Sequence, residues 1–395
     1  MRLHSNTVYG VINAIDEIFN QERYADKVIE KTLKSNPKWG ARDRAFIAES
    51  VYEMVRWWRL IREISPSDDL FHLFGTYWLM QGHELPDWRE FQGIEAEEIK
   101  SRYSSIRERA ILQSIPDWLD TMGENLLGDK WDQELDTLNQ QASVIIRVNS
   151  LKITREGLMK RLHEEGIETY APKGYKDALV LAKRHNMFRS PAFKEGLFEV
   201  QDASSQLVAA ALDVAPGMRV VDACAGSGGK SLHLAALMEN KGRILSMDVE
   251  DWKLKNTKLR ARRAGISIIE TKVIEGNKTI KRLSESADRL LLDVPCSGLG
   301  VLKRNPDTKW KLSPESIHQV LGLQQEILQN YSSMVKPGGI LVYATCSILP
   351  SENQEQVKLF LESEKGKTFE LMEDQKVLAH ESGFDGFYIA KLKRK

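Results

Sequence analysis

Arg219-Val220-Val221-Asp222-Ala223-Cys224-Ala225-Gly226-Ser227-Gly228-Gly229-Lys230-Ser231 is the stretch of this chain whose reading decides the fold. A short apolar run, residues 219–223, has the length and composition of a buried strand. The glycines after it suit a strand-to-helix turn, and residues 231–239 continue as a helical pattern. The same grammar repeats downstream. Apolar runs at residues 244–247, 267–274, 289–292 and 340–343 alternate with helical patterns at 252–264, 314–334 and 352–361. Short apolar strands separated by helices predict a parallel sheet covered on both faces. In such a sheet a ligand binds beyond the carboxyl ends of the strands, where the strand order reverses.

Toward the N-terminus the pattern changes. Residues 144–148 and 178–182 read as strands and 154–165 as a helix, a small α+β segment placed at 142–200. Before it, Val8, Ile12, Ile15 and Phe19 recur at helical spacing. Further helices are expected at 25–34, 41–62, 68–80, 116–127 and 131–140, with 95–109 ambiguous, so residues 1–141 form an all-α domain. Residues 201–395 are then the α/β domain.

Composition narrows the function. The 395 residues carry 56 basic and 56 acidic side chains, so any nucleic-acid contact must come from a local patch. No apolar run approaches the roughly 18 residues of a membrane helix, Asp16 and Glu17 interrupt what would be a signal sequence, and three cysteines build no disulfide scaffold. A reducing cytoplasm is the expected setting, with no membrane partner.

Three ligands suit the glycine turn. A dinucleotide wants a third glycine that is absent at the required offset. A nucleoside triphosphate wants a leading glycine where Cys224 stands, although Gly229, Lys230, Ser231 and the strand-end Asp293 leave a P-loop ATPase in play. S-adenosylmethionine needs close backbone approach without a phosphate cradle. Asp248, about 20 residues beyond the glycines, suits ribose hydroxyls in a dinucleotide or adenosylmethionine site. Two further strands end in Asp293-Val294-Pro295-Cys296-Ser297-Gly298 and Tyr343-Ala344-Thr345-Cys346-Ser347. Two cysteines at neighbouring strand ends, with no C-x-x-C pair and no suitably spaced histidine, point away from zinc and toward thiolate chemistry. His233 and His318 read as packing or helix-surface residues. A thiolate, a carboxyl group and a methyl donor are what methylation of a pyrimidine at carbon 5 requires. Thiolate addition at carbon 6 makes carbon 5 nucleophilic, and an acid at ring nitrogen 3 stabilises the developing charge.

These residues resemble the Sun (Fmu/Nop) family of RNA cytosine-5 methyltransferases. The resemblance runs through Arg147-Val148-Asn149, residues 200–206, the glycine turn, both cysteine motifs, Asn305-Pro306-Asp307 and Pro350-Ser351-Glu352-Asn353. It implies a class I (Rossmann-like) methyltransferase domain. It implies that Cys346 is the nucleophile, that Cys296 releases the product, and that Asp293 contacts the target cytosine and borders the cofactor. Cys224, Ala225, Gly226, Ser227, Gly228, Gly229, Lys230 and Asp248 are implied to hold S-adenosylmethionine. Asn277 stands where the family has an aspartate against the adenine, and the family's proline in the glycine turn is missing. RNA contact is expected from Arg147 and Asn149 through the resemblance, and from Lys303, Arg304 and Lys309 through local charge. Trp310 is placed either to stack on a base or to pack. Residues 252–263 carry six cations and no acid, the pattern of a solvated helix face. The helical domain is similar to the NusB-like RNA-binding domain of bacterial members that modify small-subunit ribosomal RNA. Transfer RNA is the alternative substrate, and a non-catalytic RNA-binding assembly factor the non-enzymatic one.

Overall fold

The computed structural model describes residues 3–395. They form two compact units, one running to Gln140 and including Leu302–Ser313, the other comprising Gln141–Val301 and Pro314–Lys395.

The first unit is helical. Ser5–Phe19 buries Val8, Val11, Ile12 and Ile15, and Ala41–Arg56 buries Phe46, Ile47, Val51 and Met54 on the face turned to it. Leu70–Met80 starts at Asp69, whose carboxylate accepts the Phe71 and His72 amides and caps the helix. The ambiguous stretch folds as a helix, Ala96–Ser105, with Ile99 buried. The helix expected over 41–62 is broken at Trp57 and resumes as Trp58–Ile64. The break has a non-local cause. The Arg59 and Leu60 amides donate to Ser114 Oγ, at 3.0 and 3.3 Å.

Residues 302–313, expected in the α/β domain, pack instead into this helical unit. The buried Arg56 guanidinium donates to the Lys303 carbonyl at 3.1 Å. Asp307 accepts the Ala25 amide at 2.9 Å. Lys309 Nζ donates to Arg56 O at 2.8 Å and Asn139 Oδ1 at 3.1 Å. Trp310 Nε1 donates to Val55 O at 2.7 Å.

The second unit holds two sheets. The smaller contains β1 (Ile145–Val148), β2 (Thr169–Tyr170), β3 (Ala178–Leu181) and β4 (Phe198–Val200), in the antiparallel order β2-β3-β1-β4. The larger contains β5 (Arg219–Asp222), β6 (Arg243–Asp248), β7 (Ile269–Val273), β8 (Ala287–Asp293), β9 (Val335–Thr345), β10 (Phe369–Val377) and β11 (Phe387–Arg394). Its order is β10-β11-β9-β8-β5-β6-β7. Strands β5 to β9 are parallel, and β11 enters antiparallel to β9. The order reverses between β5 and β8, so the loops after these two strands open into one crevice. Buried Val220, Val221, Leu290, Leu291, Leu292, Leu341 and Val342 explain why the inner strands read as continuous apolar runs.

Candidate active site

The glycine turn is shaped by its backbone. Gly228 has φ +78°, and a Cβ there would lie 2.5 Å from the Thr257 side chain, so only glycine fits. Two arginines brace the loop from behind. Arg260 donates to Ser227 O and Arg147 to Gly229 O, each at 2.7 Å. Burial pushes the Arg147 guanidinium down to about 10, while Glu199 holds Arg260 and Arg263. Asp248, ending β6, accepts the Gly226 amide at 2.8 Å and the Glu250 amide at 3.0 Å. Asn277 opens a short helix after β7 and is exposed. Cys224 is partly exposed, and burial together with Asp222, Asp293 and Asp248 pushes its thiol well up. It is therefore not a thiolate at neutral pH.

Asp222, at the end of β5, is fully buried. Its Oδ2 accepts the Ser231 hydroxyl at 2.6 Å, and its Oδ1 has no partner. Burial pushes this carboxyl up to about 7 against that hydrogen bond, and the charges of Asp293 and Asp248 add to the rise. A raised carboxyl contributes stability below about pH 4 that is lost as pH climbs toward 7. Asp222→Asn lacks this titration. Its melting temperature relative to the parent chain is therefore expected to improve by several degrees between pH 5 and pH 8, measured by circular dichroism. A difference independent of pH would show that Asp222 does not titrate in this range.

The reactive groups converge across β5, β8 and β9. Lys230, at the start of Gly229–Leu237, reaches Asp293 at the end of β8, with Nζ 2.6 Å from Oδ2. Burial opposes the Lys230 charge, but Asp293 and the Cys346 sulfur outweigh it and hold the ammonium above its usual value. Phe387 lies under the same ammonium at 5.4 Å. Cys296 follows β8 and Cys346 follows β9, and their sulfurs stand 3.3 Å apart, both partly exposed. The Cys346 sulfur as hydrogen-bond partner, then burial, hold the Cys296 thiol well above its ordinary value. One carboxylate, one ammonium and two sulfurs thus gather at the strand ends, an arrangement suited to covalent nucleophilic catalysis with proton transfer. Among the described residues no cluster of three metal-ligating side chains occurs.

Several residues expected on RNA are engaged elsewhere. Arg147 is buried beneath the glycine loop, and Asn149 donates to the carbonyls of Gly196 and Ala264 at 2.8 and 2.9 Å. Both brace the fold from buried positions. Lys309 is 1% exposed, its ammonium spent on Arg56 O and Asn139, and burial followed by Arg56 pushes it well below its usual value. Lys303 is also buried, and Arg304 is partly so. Trp310 packs, anchored through its indole nitrogen. Arg260 and Arg263 of the basic helix face Glu199, leaving Lys258 and Arg262 exposed. Sequence reading missed a hollow of about 380 Å³ beside the smaller sheet, lined by Arg155, Lys173, Tyr175 and Lys176 with no acidic side chain. Its only early signal was two lysines flanking Gly174-Tyr175.

Known proteins share this architecture. Residues 209–393 match the family model of 16S rRNA methyltransferase RsmB/F, and residues 115–187 match that of the RsmF/B-like ferredoxin-like domain. A Synechocystis protein called probable ribosomal RNA small subunit methyltransferase B is 33% identical, the match covering 96% of this chain and 97% of that one. The crystal structure of PH0851 superposes with TM-score 0.84 at 25% identity, covering both chains fully. A methyltransferase homologue from Pyrococcus horikoshii gives 0.65 at 28% identity, covering 72% of this chain and 97% of that one. Among the described residues no helix is long and apolar enough to cross a membrane. A match that runs almost end to end, over a sheet whose strand ends gather two cysteines and an ion-paired aspartate, makes this chain a member of the RsmB/F family of RNA methyltransferases.

Proposed function

We propose that this enzyme methylates carbon 5 of a cytosine in small-subunit ribosomal RNA, using S-adenosylmethionine. The observation that carries the reading is the 3.3 Å pair of sulfurs, Cys296 and Cys346, beside the Lys230–Asp293 ion pair. The loop after β5 fits the cofactor. The position of a Cβ on Gly226 is open space, so the backbone can approach a ligand there. Asp248 presents a carboxylate at the end of β6, and we assign Asn277, beyond β7, to the adenine. When bound, S-adenosylmethionine supplies an electrophilic sulfonium methyl to the crevice.

The chain's own groups do the rest. Asp293, its Oδ2 held by Lys230, has Oδ1 left to orient the base. Lys230 carries a proton beside it and stabilises negative charge developing on the ring. Cys346 Sγ, its proton released to solvent, bonds to carbon 6 as the thiolate, which shifts the electron pair of the ring double bond toward carbon 5. After methylation Cys296, having lost its own proton to solvent, takes the carbon 5 proton, the double bond re-forms, and the bond from carbon 6 to Cys346 breaks with its electron pair returning to sulfur. A cytosine in a duplex cannot reach these groups, so the target is unpaired or flipped out. Arg155, Lys173 and Lys176 are the cations we assign to the RNA backbone, replacing Arg147, Asn149 and Lys309.

Bisulfite sequencing of total RNA from cells with and without the gene tests the reading. One cytosine of small-subunit ribosomal RNA is expected to lose its protection when the gene is absent. A loss confined to transfer RNA would move the substrate to that class, and no change at any cytosine would sink the assignment.

A further inference from the structure

The two reactive sulfurs sit on separate loops, and a third residue ties those loops together. Glu352 ends the short turn Pro350–Glu352 and has no exposed surface. Its Oε1 accepts the hydroxyls of Ser297 and Ser347, each at 2.5 Å. Its Oε2 accepts the Ser297 amide at 2.8 Å and Gln324 Nε2 at 3.0 Å. Ser297 directly follows Cys296, and Ser347 directly follows Cys346. One carboxylate therefore grips the residue after each cysteine. Gln324, itself fully buried, also donates to Pro295 O at 3.0 Å, which fixes the residue before Cys296.

We infer that Glu352 is a positioning residue that sets the gap between Cys296 and Cys346 and so lets both act on one pyrimidine ring. It touches neither substrate nor sulfur. A merely structural carboxylate buried with four neutral partners is a costly choice, since burying a charge without a counter-ion is unfavourable unless hydrogen bonds satisfy it. An apolar side chain could fill the same space. What it could not do is grip two serines on different strand ends at once. Short hydrogen bonds to a carboxylate are stronger and stiffer than neutral ones, which suits a geometric clamp. The neighbouring Asn353 supports the same loop, accepting from Thr345 Oγ1 at 2.5 Å and donating to Ser347 O at 2.9 Å. Gly300 completes the frame by donating its amide to Cys346 O at 2.9 Å.

The role rests on the proposed methylation for its purpose but not for its geometry, so the test reads both. Glu352→Gln keeps the size and replaces one acceptor by a donor facing groups that are themselves donors. In the full-length protein, dibromobimane bridges thiols a few ångströms apart, and the bridged peptide pair is identified by mass. The Cys296–Cys346 bridge is expected to form roughly 5-fold less in Glu352→Gln, and kcat for RNA methylation to fall about 100-fold with KM for RNA unchanged within about twofold. Bridging and kcat both equal to the parent's would overturn the role. Reduced bridging with no methylation in the parent chain would leave the clamp standing and remove the methyltransferase reading. Should Glu352→Gln fail to fold, Ser347→Ala decides, since it removes one grip and leaves the carboxylate in place. Reduced bridging and a kcat lowered roughly 3- to 10-fold support the clamp, and parental values for both overturn it.

Discussion

Cys346→Ala is expected to abolish methyl transfer, with a fall in kcat of at least about 10⁴-fold, while RNA and S-adenosylmethionine bind as before. Carbon 5 of cytosine is a poor nucleophile, and bonding of Cys346 to carbon 6 is the step proposed to activate it. Cys296 stands 3.3 Å away, but its sulfur is assigned to proton removal in the release step and not to attack on carbon 6. Asp293 and Lys230 belong to their own ion pair at 2.6 Å and touch neither sulfur by hydrogen bond. The loss should therefore fall on kcat alone, read by transfer of a labelled methyl group to unmodified small-subunit RNA, with affinity followed by filter binding. The alanine side chain removes only a partly exposed sulfur, so the melting temperature should change little. Retained turnover would place the nucleophile elsewhere and undo the proposed chemistry.

The strand ends that carry this site were readable because each inner strand is covered on both faces and so must be apolar along its whole length. That fixed β5, β6, β8 and β9, and with them the convergence of the Cys224 turn, Asp248, Cys296 and Cys346. Spacing could not say which cysteine attacks. β10 escaped notice because most of it is exposed, leaving no apolar run to mark it, whereas β11 carries the buried run Phe387-Tyr388-Ile389-Ala390 that could have been read as a strand. The break at Trp57 depends on Ser114, and the place of residues 302–313 on Arg56, Asn139 and Val55, all far away in sequence. Lys309 and Arg147 show the same limit more sharply. A cation in a sequence advertises its charge but not its partner, and here the partners are carbonyls brought close only by folding. Glu352 is the converse. Its meaning emerges once the parallel pairing of β8 with β9 sets Ser297 beside Ser347.

Cys296→Ala should give the opposite failure, a covalent protein–RNA adduct that forms and persists. In the parent chain the Cys346 sulfur is the foremost cause that keeps Cys296 protonated. When Cys346 bonds to carbon 6 its sulfur no longer offers Cys296 the hydrogen-bond partner it had. The strongest hold on the Cys296 proton is thereby released at the moment a base is needed, although burial and Glu352 still oppose ionisation. The pair works in sequence: attack by one sulfur prepares the other to take the carbon 5 proton. Without Cys296, attack and methylation proceed and release stalls. A band retarded by the mass of the RNA should appear on a denaturing gel under reducing conditions, in a yield at least about 10-fold above the parent. The band should need S-adenosylmethionine to accumulate fully and should vanish in the Cys346→Ala, Cys296→Ala double variant. Raising the pH should speed release in the parent chain, where Cys296 is the group being ionised, and have little effect on release from Cys296→Ala. Rapid release from Cys296→Ala, with parental pH dependence, would show that another group removes the proton and that the 3.3 Å pairing of the sulfurs serves only the attack.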